Sequence, residues 1–184
     1  MPESLGGRLK YYRGGSMYMK NIIILCLPFL LLSCKKSTSL QPIEGDFSIY
    51  LLQDSTITAE NAFSQPIESL PLESTAFLTV DGLESYIWTS HSFELTNQTR
   101  IIYEQFLISH GTTSGIPFIV TIGENRIYLG TFWWAYSSSM PPACAVIDAI
   151  GPLPYKIKVA SGAVDKRSDP RIYSSLKNSG VLVE

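Results

Sequence analysis

The chain has 184 residues, 14 Lys and Arg against 16 Asp and Glu, and a net charge of −2. With no basic cluster outside the first 36 residues except Lys166-Arg167, it lacks the electrostatic footprint of a nucleic-acid binder. It also lacks His-Glu-x-x-His, paired cysteines, a Walker glycine loop and Gly-x-Gly-x-x-Gly, so no metal, phosphate or dinucleotide cofactor is implied.

Residues 1–16 carry Gly6-Gly7, Gly14-Gly15 and scattered basic side chains with no apolar period. They read as a non-native leader upstream of a start at Met17 or Met19. Residues 17–33 then read as a secretory signal, with Lys20 as the basic end, Ile22 to Leu32 as the apolar run and Ser33 as the small residue at its close. The run is shorter than the roughly 20 apolar residues a membrane span needs, and Pro28 would disturb a spanning helix. Leu31-Leu32-Ser33-Cys34 resembles the lipobox of bacterial lipoproteins. That resemblance implies removal of the signal and acylation of Cys34, which would anchor the chain to a membrane of the bacterial envelope on its periplasmic or outer side. Several acyl chains give durable attachment, and Lys35 and Lys36 would favour anionic headgroups. Of the three cysteines, Cys26 leaves with the signal and Cys34 is lipidated. Only Cys144 remains in the domain, so no internal disulfide is expected. Residues 34–45 form a polar tether, and residues 46–184 form one α+β domain.

Phe47, Ile49 and Leu51 predict a strand. Asp54 to Thr75, broken by Pro66 and Pro71, reads as a long excursion with a helical turn near Thr58 to Phe63. Thr79 caps a short turn, and Tyr86 to Leu95 reads as one strand with His91 among apolar neighbours. Thr96 then caps a helix to about Ser109 whose inner face is Ile102, Tyr103 and Phe106. Pro117 to Ile122, Gly123-Glu124-Asn125 and Arg126 to Trp134 predict a β-hairpin. Ala143 to Ile150 and Tyr155 to Ala160 are strands, the latter placing Lys156 and Lys158 on a wet face that guards an edge. Asp169-Pro170 starts a last helix, and Val181 to Val183 returns to the sheet. An antiparallel or mixed sheet with two helices packed on one face follows. Residues 78–148, through the hairpin around Ile119 to Ile127, resemble the periplasmic head of SecD-type translocon subunits. That resemblance implies a ferredoxin-like arrangement and no activity.

Trp133, Trp134, Tyr136 and Trp88 are the candidate binding residues, because exposed contiguous aromatics mark interaction sites. Alternation sends Phe132 and Trp134 to one face and Trp133 to the other. With the adjoining Ser137 to Pro142 loop they suggest a non-catalytic envelope module for a protein, peptide or small ligand. The alternative is an exported hydrolase combining Asp148 or Cys144 with His91 or His110. The three serines 137–139 lack the Gly-x-Ser-x-Gly elbow.

Overall fold

The computed structural model describes residues 45–184. The proposed leader, signal, Cys34 and the tether up to residue 44 lie outside the described residues.

β1 (Phe47–Leu51) leads into α1 (Ala59–Phe63), a 3-10 turn (Ile67–Ser69), β2 (Leu78–Thr79) and a second 3-10 turn (Val80–Gly82). There follow β3 (Leu83–Ile87), β4 (Ser92–Leu95), α2 (Asn97–Ser109), β5 (Ile116–Ile122), β6 (Asn125–Trp133), β7 (Ala145–Asp148), β8 (Tyr155–Val159), α3 (Pro170–Asn178) and β9 (Leu182–Val183). The strands form one mixed sheet in the order β2-β1-β5-β6-β7-β8-β4-β3-β9. Pairing is antiparallel except at β6–β7 and β3–β9. The sheet curls into a half-barrel, because strand twist accumulated over nine strands does not leave a flat surface.

The α+β class is therefore present, and the expected ferredoxin-like packing is corrected. The β5–β6 hairpin inserts between β1 and β7, and the sheet keeps growing on both sides of it. β5 and β6 join through a two-residue loop, Gly123-Glu124, with Gly123 at φ 55°. Positive φ at the first central residue suits the twist of the flanking strands.

One face of the sheet holds the main core: Phe47, Ile49, Phe118, Val120, Phe132, Ile147, Ile157 and Phe93 are all buried. α2 adds Tyr103 and Leu107, and α3 adds Ile172 and Leu176. Ser175 of α3 accepts the Phe47 N–H at 2.8 Å and so pins the helix to β1. The Tyr103 ring sits 4.9 Å from that of Tyr155 and 5.8 Å from that of Phe132, an aromatic layer between α2 and the sheet. Gly130 on β6 faces Phe118 across the pair, and a Cβ there would come within 2.3 Å of the Phe118 ring. A smaller cluster of Leu52, Ala62, Leu70 and Ile119 packs α1 and its following turn on the other face. The Arg126 guanidinium holds that strap to β6 by donating to the carbonyls of Ile67 and Leu70.

Three further expectations change. Tyr86 to Leu95 is a hairpin, with Trp88 to His91 as its turn and His91 at φ 49°; histidine is among the residues that tolerate this region. On α2 the buried pair is Tyr103 and Leu107, one turn apart, while Phe106 is half-buried and Ile102 exposed. β8 lies inside the sheet between β7 and β4, so Lys156 and Lys158 guard no edge.

An outer-face cleft around Trp133

Strand β6 separates the aromatic run by its pleat. Phe132 and Trp134 are 0% and 1% exposed in the main core, while Trp133 turns to the other face and stays half-buried. The ring of Trp133 lies on Gly115, where a Cβ would approach it to 2.6 Å, and Gly115 holds φ 70°. A side chain at 115 would be both strained and in the way of the indole.

Around Trp133 a cleft of about 450 Å³ is lined by Thr58, Glu60, Phe63, Ser114, Ser139, Met140 and Pro142. Each wall has a local cause. Thr58 caps α1 by accepting the Asn61 N–H, which sets Glu60 and Phe63 on that short helix. The Ala59 N–H donates to the Ser114 carbonyl, tying α1 to the loop before β5. Ser137 donates to the Thr113 carbonyl at 2.7 Å, which holds the Ser-Pro loop against that same loop. Phe63 and Met140 are exposed at 46% and 82%, so the cleft presents apolar and aromatic surface to solvent with Glu60 as its only charged lining residue.

The other aromatics predicted to bind do not join Trp133. Trp134 is in the core and out of a ligand's reach. Tyr136 is exposed, with its hydroxyl against Gly111. Trp88 stacks edge-on with His91 and Tyr173, at 5.4 and 5.1 Å.

Phe63 also lines a second cavity of about 470 Å³, whose floor includes Leu129, Cys144, Ala145 and Val159 and whose wall is the loop carrying Val164, Lys166 and Arg167. Burial pushes the Cys144 thiol up to about 12, so it carries no thiolate at neutral pH. The Arg167 guanidinium grips Asp165 through Nε and Nη2 at 2.9 and 2.7 Å, and Nη1 donates to the Ile157 carbonyl at 2.7 Å. This pairing holds the Asp165 carboxyl down at about 2.

The four side chains of the hydrolase alternative make no hydrogen bonds to one another. His91 is buried, with Nδ1 3.2 Å from the Tyr86 hydroxyl and Nε2 3.3 Å from that of Ser168. Desolvation, with the Arg167 charge adding to it, lowers its pKa and keeps the ring neutral. Asp148 pairs with Lys158 across the outer face. His110 stacks on Phe106 at 4.3 Å, with Nδ1 2.9 Å from the Ser109 hydroxyl and 3.0 Å from the Phe106 carbonyl. It opens onto a separate cavity of about 570 Å³ together with Asp54 and Glu73. Asp54 in turn accepts from the Thr56 amide and hydroxyl. Neither histidine has Cys144 or Asp148 as a hydrogen-bond partner. Among the described residues no group of three or more His, Cys, Asp and Glu could hold a metal ion, and no helix is long and apolar enough to cross a membrane.

Sequence reasoning placed Met140 only within the Ser137 to Pro142 loop, and missed Phe63 and the Asp165–Arg167 pair. Phe63 carried a signal, as the one large apolar side chain on a helical turn capped by Thr58. The Asp165–Arg167 pair sits in a loop with no period to read.

In comparisons with known proteins, the chain matches no family, and no curated protein or solved structure is similar to it at a significant level.

Proposed function

We propose that this is a membrane-anchored envelope lipoprotein whose domain is a non-catalytic binding module, capturing a segment of a partner protein in the outer-face cleft around Trp133. The observation that carries the reading is Trp133 itself, a half-buried indole in a cleft whose other walls are Phe63, Met140 and Pro142. Aromatic anchors in such settings carry a large share of binding energy. A few polar groups at the rim, Thr58, Ser114 and Ser139, offer hydrogen bonds to a peptide backbone. The Leu31-Leu32-Ser33-Cys34 pattern supports the anchor, which would hold the cleft near partners in the same envelope.

A photo-crosslinking side chain at position 140, at the mouth of the cleft, tests the reading in the native envelope. A discrete adduct should form and be lost in Trp133→Ala, while the circular dichroism of the variant stays that of the parent. An adduct of equal yield in Trp133→Ala would refute it. Cys34→Ala tests the anchor separately, by moving the protein out of the membrane fraction.

A further inference from the structure

We propose that the cavity floored by Cys144 binds a single amphiphile with an apolar body and an anionic head, its carboxylate or sulfonate lying between Lys166 and Arg167. Its volume of about 470 Å³ falls within the roughly 300–1,000 Å³ of small-molecule sites. The floor is apolar, and Phe63 and Val164 stand exposed at 46% and 80% on its margins, where an apolar body would cover them. Both charged residues in the lining, Lys166 and Arg167, are cations, and no carboxylate lines the cavity. Asp165 holds the guanidinium from the side and takes two of its five N–H groups, while Ile157 takes a third. One N–H on each terminal nitrogen is left for an anion. Arg167 is therefore a pre-positioned donor, fixed at both ends before any ligand arrives, which limits the ordering cost of binding. Lys166 is exposed and has no ion-pair partner among the described residues. Among the lining residues the Cys144 thiol and the Tyr128 phenol stay uncharged at neutral pH, because burial raises both. The ionised Asp165 carboxylate lies beside the site and balances the Arg167 charge, so Lys166 supplies the net positive charge that draws an anionic head.

The inference is independent of whether the Trp133 cleft holds a partner. It is tested by calorimetric titration of the full chain with octanoate, octan-1-ol and acetate, which separate head from body. Octanoate should bind about tenfold tighter than octan-1-ol, and acetate alone should give no heat. Lys166→Glu should weaken octanoate by about fivefold to tenfold, the scale of an exposed charge pair reversed, and leave octan-1-ol unchanged. Trp133→Ala should leave octanoate binding as it was. Equal affinity for octanoate and octan-1-ol, or an unaffected Lys166→Glu, overturns the assignment. So does octanoate binding that vanishes in Trp133→Ala, since the ligand would then lie in the neighbouring cleft and the proposed binding module would still stand. Co-sedimentation with phosphatidylglycerol vesicles in the absence of octanoate binding also overturns it, by making the cations a membrane contact.

Discussion

The two faces of the sheet are covered in different ways. The core face is closed by α2 and α3, whose Tyr103, Leu107, Ile172 and Leu176 are fully or almost fully buried. The outer face is covered only by short pieces: the five residues of α1, a 3-10 turn and two loops held by single hydrogen bonds. Helices of two or more turns bury a continuous stripe, whereas short straps leave gaps between them. Trp133 and Trp134 show the result, since one peptide bond separates a cleft indole from a core indole.

The largest test of that contrast is the pair of alanine variants. Trp134→Ala should cost about 3–5 kcal/mol, the range for deleting a large buried aromatic. Trp133→Ala should cost about 1 kcal/mol and act mainly on capture, since part of its surface is already wet. Urea unfolding of both variants gives the comparison, and equal losses would erase the distinction between the faces. Next in size, Gly130→Ala should lose about 1–3 kcal/mol, because the new methyl meets the Phe118 ring and the core must shift. The paired change Gly130→Ala with Phe118→Leu should recover part of that loss, and no recovery would mean that the Phe118 contact is not the cause.

A third prediction follows His91 with pH. Its pKa is lowered in the fold, so the unfolded chain takes up the proton first. The stability held by the neutral ring is complete above about 6.5, the ordinary histidine value. It drains as pH falls from there toward the folded-state value. The thermal midpoint should fall over that window in the parent and flatten in His91→Asn, which keeps a residue suited to φ 49°. The Asp165 contribution is lost separately, between its ordinary value near 3.8 and about 2. A midpoint that declines only below pH 4 would show that His91 is not buried as a neutral ring. The smallest effect belongs to the outer-face pair Asp148–Lys158, whose side chains are 40% and 53% exposed. Lys158→Ala should change stability by less than about 0.5 kcal/mol, as measured by the same urea unfolding.

How much of this could be read beforehand depended on local signals. The β5–β6 hairpin, the Thr96 and Asp169 caps and the return of Leu182–Val183 to the sheet are each written in a few adjacent residues, and each is present. The split of Phe132, Trp133 and Trp134 between faces follows from a period of two. The Tyr86 to Leu95 hairpin was hidden because Trp88 to His91 contains neither Gly nor Pro, and its turn rests on a histidine at positive φ. Strand order was not legible at all. The β1–β5 and β3–β9 pairs join segments far apart in the chain, and no local pattern names a distant partner. The cleft was legible in part: Trp133 and the Ser137 to Pro142 loop adjoin in the chain, whereas Phe63 and Ser114 reach it from distant segments that no local pattern links to them.

The ends of the sheet order bear on how such a domain behaves at high local concentration. A half-barrel that stops short of closure keeps two open margins, and unpaired backbone there can recruit another chain as an added strand. Here the outermost strands, β2 and β9, are two residues each. Along β1, beyond β2, the strand is already paired with the excursion that follows it: the Phe77 and Glu73 amides donate to the Ile49 and Leu51 carbonyls, and the Gln53 amide donates to the Pro71 carbonyl. Little continuous edge is left to template a neighbour. An open sheet is thereby kept from pairing edge to edge with a second copy of the chain.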